Sequence, residues 1–108
     1  VSELSMETFE QVDLRVATIL TAERVAGTDR LIQLQIRIGN EERRIVAGIG
    51  ASYPPEDLPG RQIVVVANLK PAVIRGVESR GMLLAAVDGE NTVLLEPETQ
   101  VPDGTEIS

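Results

Sequence analysis

Between Ile32 and Ile38 the chain alternates without a break. Ile32, Leu34, Ile36 and Ile38 are separated by Gln33, Gln35 and Arg37. A period of two sends successive side chains to opposite faces, so this segment is a strand with one dry face and one wet face. A slip by one residue would bury Gln33 and Gln35 in place of the aliphatic row, so the register is strongly specified. Gly39-Asn40 follows as a hairpin turn, and Arg43–Ile49 reads as the return strand, bounded by Gly50.

The rest of the chain extends the β pattern. Asp13–Leu20 starts a strand, and its continuation to Val25 breaks strict alternation, which predicts a bend or bulge. Arg61–Leu69 is rich in Ile and Val, Met82–Val87 is a further strand closed by Asp88-Gly89, and Thr92–Leu95 is a short one. Ser5 is placed to cap a short helix over residues 6–10, with Glu7 in its first turn. Pro54–Leu58 reads as one helical turn between the third and fourth strands. Five strands between residues 13 and 87, interrupted by that turn, give the strand order of an OB barrel, although another small barrel or sandwich has the same pattern. The expectation is an all-β chain: one domain over residues 1–108, the barrel at about 13–87, and flanks 1–12 and 88–108 outside it.

Composition removes most chemistry. The 108 residues contain no cysteine and no histidine. This excludes a disulfide framework, a thiolate metal site, and any Ser-His-Asp or Cys-His nucleophile. Ser79 with Lys70 is the sole nearby serine–lysine option. The carboxylates show no calcium-loop spacing. No catalytic residue, metal or cofactor is expected. No apolar run is long enough to cross a membrane, and no signal peptide is visible, so a cytoplasmic protein is expected.

The net charge of −7 is unevenly spread. Residues 1–13 hold four acids and residues 88–108 hold six, with no base in either segment. Residues 14–87 hold all ten bases against seven acids, a net of +3. Screening acts over about 8–10 Å, so a basic face on the central unit can operate despite acidic flanks.

The stretch Asn68-Leu69-Lys70-Pro71, continuing through Arg75-Gly76-Val77-Glu78-Ser79-Arg80-Gly81-Met82, closely resembles the signature of the tRNA-binding OB domain. That family includes the C-terminal domain of many methionyl-tRNA synthetases and small free-standing tRNA-binding proteins. The resemblance continues in Val12–Val16, in Asp29-Arg30-Leu31 (arginine replacing the family's usual lysine), in Ile45–Ile49 with Tyr53-Pro54, and in Val93–Leu95 with Val101–Thr105. It covers residues 5–107. It implies a five-stranded OB barrel with short helical turns and a C-terminal β extension. It also implies non-catalytic tRNA binding near the elbow with little regard to sequence, in or beside methionyl-tRNA synthetase. Related export-linked dimers that bind polypeptide keep the fold but lose much of the Gly-Met signature, so they supply the alternative function.

Residues matching the RNA-facing positions are Asn68, Lys70, Ser79 and Met82, with Arg30, Arg43, Arg75 and Arg80 as accompanying cations. Each has a plainer role available. Asn68 suits a turn before Pro71, Ser79 a local cap, Met82 a core position, and the charged residues a solvated surface. Arg43 and Arg44 are adjacent on a strand and face opposite ways, so only one of them meets a ligand. With only Phe9 and Tyr53 as aromatics, stacking on successive bases is not the mode; shape recognition of folded RNA is. The flanks carry Phe9, Val93, Leu94, Leu95 and Val101, apolar groups suited to a homodimer interface. The alternative is that the flanks fold back on their own barrel. The sequence leaves open whether the chain stands free or belongs to a synthetase.

Overall fold

The structure is a computed structural model and describes residues 2–108. Strand β1, Leu14–Arg24, is the longest element and organises the rest. Its N-terminal half pairs antiparallel with β4, Gln62–Val66, in a register running from Leu14↔Val66 to Thr18↔Gln62. Its C-terminal half pairs with β2, Ile32–Ile38, from Thr18↔Arg37 to Arg24↔Ile32. The register slips between Ile19 and Thr21, at the break in alternation that the sequence carries. The bulge bends the strand and lets it serve two neighbours, which is how a sheet curls toward closure.

Strand β2 pairs with β3, Glu41–Ala47, from Ile32↔Ala47 to Ile38↔Glu41. Gly39 takes φ 60° at the first position of the two-residue turn, where glycine is the usual choice. Ile32, Leu34 and Ile36 are buried, Ile38 is half-buried at the strand end, and Gln33 and Gln35 lie toward the other face. The core joins them to Ala17, Ile19, Ile45, Ile63 and Val65. A 3-10 turn at Pro55–Asp57 delivers the fully buried Leu58 into this core.

After β4 the architecture departs from the expectation. The strand stops at Val66, and residues 67–71 are irregular. Residues 72–79 form a hairpin, β5 (Ala72–Ile74) and β6 (Val77–Ser79), which the sequence reading did not contain. Its turn residues Arg75 and Gly76 have φ 52° and 81°, both positive as a type I′ two-residue turn requires. Arginine is not the residue that advertises such a turn, and that hid it. The expected strand Met82–Val87 is two elements. β7, Met82–Leu83, pairs with β4, whereas β8, Ala85–Asp88, pairs with β9, Asn91–Leu94. Leu84 is the switch: its N–H bonds Val64 O at 3.0 Å and its carbonyl accepts from Leu95 N at 3.2 Å. The main sheet has the order β3-β2-β1-β4-β7, and Arg80 N donating to Arg44 O at 2.9 Å ties its two ends together. This is the expected all-β, OB-like barrel with short helical turns: α1, Met6–Phe9, carries the anticipated Ser5 cap, whose Oγ accepts from Thr8 N.

The C-terminal segment lies against this barrel. Beyond the reach of β2, the free edge of β1 is taken up by residues 104–107, through Gly104 N to Val16 O (2.7 Å), Val16 N to Thr105 O (2.9 Å) and Ile107 N to Leu14 O (2.9 Å). Gln62 satisfies both backbone groups of Val101 with its one amide, at 2.6 and 3.0 Å. All five residues of β4 are buried, because its outward side is covered too. Asp103 accepts from Thr18 Oγ1 and from Arg37 Nε. Burial pushes its carboxyl up, but the hydrogen bonds from Arg37 and Thr18 and the charge of Arg37 outweigh this and hold it below the ordinary carboxylate value.

Candidate nucleic-acid interface

A groove of about 590 Å³ opens between the end of β3, the β5–β6 hairpin, β7 and the β8–β9 hairpin. Ile49, Leu69, Ile74, Met82 and Leu83 are among its walls, and Arg30 and Lys70 are the two charged residues that line it. Neither cation has an ion pair among the described residues. Arg30 is brought there by a close packing of two loops: Gly50 N donates to Arg30 O at 2.8 Å, and Arg24 Nη1 donates to Asp29 O and Gly50 O. A β-carbon on Gly50 would sit 2.4 Å from Asp29 O, so only glycine allows this approach.

The signature residues divide into two kinds. Lys70 and Met82 are exposed at the groove, Met82 by 48%. Asn68 and Ser79 have committed side chains. Asn68 Oδ1 accepts Asp13 N at 2.8 Å, and its Nδ2 donates to Gln11 O at 2.6 Å, tying the N-terminal segment to the end of β4. Ser79 lines the groove but is only 4% exposed; its Oγ accepts Val46 N at 2.9 Å and donates to Gly81 O at 3.2 Å. Those bonds fasten the hairpin to β3.

The arginines are spread more widely than the groove. Arg75 is exposed at the tip of the β5–β6 hairpin. Arg43 Nη1 donates to Ala67 O and Nη2 pairs with Glu41 at 3.0 Å; Arg80 reaches the same carboxylate at 3.8 Å. The hydrogen bond from Arg43, with the charges of both arginines, holds the Glu41 carboxyl below its ordinary value despite opposing desolvation. Arg44 faces the other way, exposed near Gln33 and Gln35. So Arg43 braces the loop that precedes Lys70, while Arg44 lies apart from the groove. Leu69, Ile74 and Thr92 belong to the groove walls without having been named as site residues from the sequence; the place of Leu69 between Asn68 and Lys70 in the signature stretch was the available signal.

Of the flank residues, Phe9, Val93 and Leu95 are exposed. Leu94, 7% exposed, points into the chain's own core, and Val101 is half-buried with its backbone held by Gln62. No helix among the described residues is long and apolar enough to cross a membrane.

The barrel and the signature hairpin coincide with a known pattern. Residues 14–106 match the family model described as "Putative tRNA binding domain". The chain belongs to this family. A methionine–tRNA ligase of Methanothrix thermoacetophila is 55% identical over 101 residues, which are 94% of this chain and 15% of the ligase. The chain therefore spans only a small part of the length of the ligases it matches. Among solved structures, a methionyl-tRNA-synthetase-related protein of Pyrococcus horikoshii superposes with a TM-score of 0.94 at 36% identity, covering 100% of both chains. The chaperone CsaA of Bacillus anthracis str. Ames superposes with a TM-score of 0.91 at 36% identity, covering 99% of this chain and 100% of that one. The family's binding-domain character agrees with a site made of a groove and cations rather than of nucleophiles and bases.

Proposed function

We propose that the chain is a non-catalytic tRNA-binding module that engages folded tRNA near its elbow with little regard to sequence, in the cytoplasm, as the C-terminal domain of methionyl-tRNA synthetase or as an accessory to it. The observation that carries this reading is the presence of two cations without an ion pair among the described residues, Arg30 and Lys70, at the edge of the signature groove in a member of this family. Arg75 at the hairpin tip adds a third exposed cation. Such groups hold phosphates and fix position without reading bases. Tethered to a synthetase, a weak module of this kind raises the effective concentration of tRNA at the catalytic site.

A homodimer completes the reading. Phe9, Val93 and Leu95 supply exposed apolar surface for a second copy of the chain. The second reading is a chaperone-like dimer that binds polypeptide; the apolar walls of the groove and the likeness to the Bacillus anthracis chaperone favour it. An RNA gel shift with several unrelated tRNAs, run across a salt series beside a peptide-binding assay, separates the two. Binding of all the tRNAs, weakening steeply with salt, supports the tRNA reading. Failure of every tRNA at low salt overturns it.

A further inference from the structure

Phosphate contacts alone leave the groove unused. Its walls are aliphatic, with Leu69 46% and Met82 48% exposed, and phosphate oxygens gain nothing against such surface. Paired bases cannot reach it either, because an A-form duplex presents backbone and 2′-hydroxyls while its bases stay stacked. An unpaired base offers a broad apolar face together with a flanking charge. The volume of about 590 Å³ falls in the range of about 300–1,000 Å³ typical of small-ligand sites.

We propose that the groove seats one unpaired nucleotide of a bound RNA, its base against Leu69, Ile74 and Met82 and its flanking phosphates on Arg30 and Lys70. This rests on the RNA-binding reading and narrows it to one contact. Charge complementarity selects the occupant: a neutral apolar ligand would leave both rim cations without a partner, whereas a nucleotide supplies an anion beside an apolar face. Among the lining side chains, the Ser79 hydroxyl is already spent on Val46 N and Gly81 O. Among the described residues Thr92 is the one other uncharged polar side chain on the walls, and a single hydroxyl cannot distinguish four bases, so the pocket accepts a base with little selection.

The test uses the full chain and fluorescence anisotropy with three short RNA probes: a duplex with one bulged nucleotide, the same duplex fully paired, and the bulged duplex with an abasic residue at the bulge. The bulged probe should bind about tenfold tighter than the paired one, the scale of burying part of one base's apolar face. The abasic probe should fall back to the paired value, and exchanging the bulged base should change little. Leu69→Ser and Met82→Gln alter exposed side chains, so the fold should persist. Each should remove the preference for the bulge, so that the bulged and paired probes bind the variant equally. Equal binding of all three probes by a chain that still binds tRNA overturns the nucleotide pocket and leaves the tRNA reading intact. A bulge preference that survives both substitutions also overturns it. Loss of all RNA binding, tRNA included, removes both. An apolar peptide that binds the chain and is lost in Leu69→Ser, with no bulge preference, assigns the groove to polypeptide and overturns the proposal.

Discussion

Ser79 Oγ accepts the backbone N–H of Val46 at 2.9 Å, in a bond that is buried and spans 33 positions of the chain. One hydroxyl fastens the signature hairpin to the third strand of the barrel. Ser79→Ala should leave a buried donor unpaired and cost about 1–3 kcal/mol. Thermal or denaturant unfolding measures it. Any loss of RNA affinity should accompany the altered hairpin, and Ser79→Thr, which retains the hydroxyl, should recover part of both. An unchanged melting temperature for Ser79→Ala would show that the bond contributes nothing.

Lys70 is an exposed cation at the groove with no ion pair among the described residues. Lys70→Ala should weaken tRNA binding by about 1 kcal/mol, the scale of one hydrogen bond, and should leave stability unchanged. The dependence of affinity on salt should become shallower by about one phosphate contact. Titration of tRNA at several salt concentrations reads both quantities. An identical affinity and slope for Lys70→Ala combined with Arg30→Ala would place the interface elsewhere.

The C-terminal segment is latched by Asp103, which joins Thr18 and Arg37. Its folded-state pKa lies below the ordinary carboxylate value. A depressed pKa contributes stability that is fully present above the unfolded-state value and is lost as pH falls through the folded-state value. Asp103→Asn should therefore be less stable than the parent at neutral pH. The gap should close as pH drops below the ordinary carboxylate range. Unfolding curves for both proteins between neutral and strongly acid pH test this, and a gap independent of pH would sink the latch.

The proposed homodimer has to be probed on surface that is exposed. Leu94 lies in the protomer's own core, so Leu94→Asp should unfold the chain rather than split a dimer. Val93 and Leu95 alternate with it and face outward. Sedimentation at micromolar concentration should show twice the chain mass. Val93→Asp should lower that mass while the circular dichroism spectrum stays the same. A monomer throughout the accessible concentration range would exclude the dimer.

Gly50 tests how the groove is positioned. A β-carbon there would meet Asp29 O at 2.4 Å and Arg30 O at 2.9 Å. Gly50→Ala should force the two loops apart at a cost of about 1–3 kcal/mol, the range found for overpacking. Arg30 should move with its loop, so RNA affinity should fall as well. Retained stability and retained affinity would show that the loops separate freely.

Local chemistry carried much of this protein in its sequence. The period-two row from Ile32 to Ile38 specifies a half-buried strand and its register, because a slip would bury glutamines. The broken alternation around Leu20 announces the bulge, and Ser5 announces its cap, since both act within a few residues. The signature stretch marked the candidate site through its resemblance to the tRNA-binding family, a resemblance legible because its residues are contiguous. Tertiary structure decided what those residues do. Asn68 meets Asp13 across 55 positions and Ser79 meets Val46 across 33, so neither partner is visible from local pattern. The division of Met82–Val87 between β4 and β9 follows from which strand each half reaches, not from its uniform apolar character. Leu94 turned inward while Val93 and Leu95 turned outward, because alternation states that neighbours part but not which side meets the core. The sequence names the groups, and only the closing of the sheet determines which of them remain free to meet a ligand.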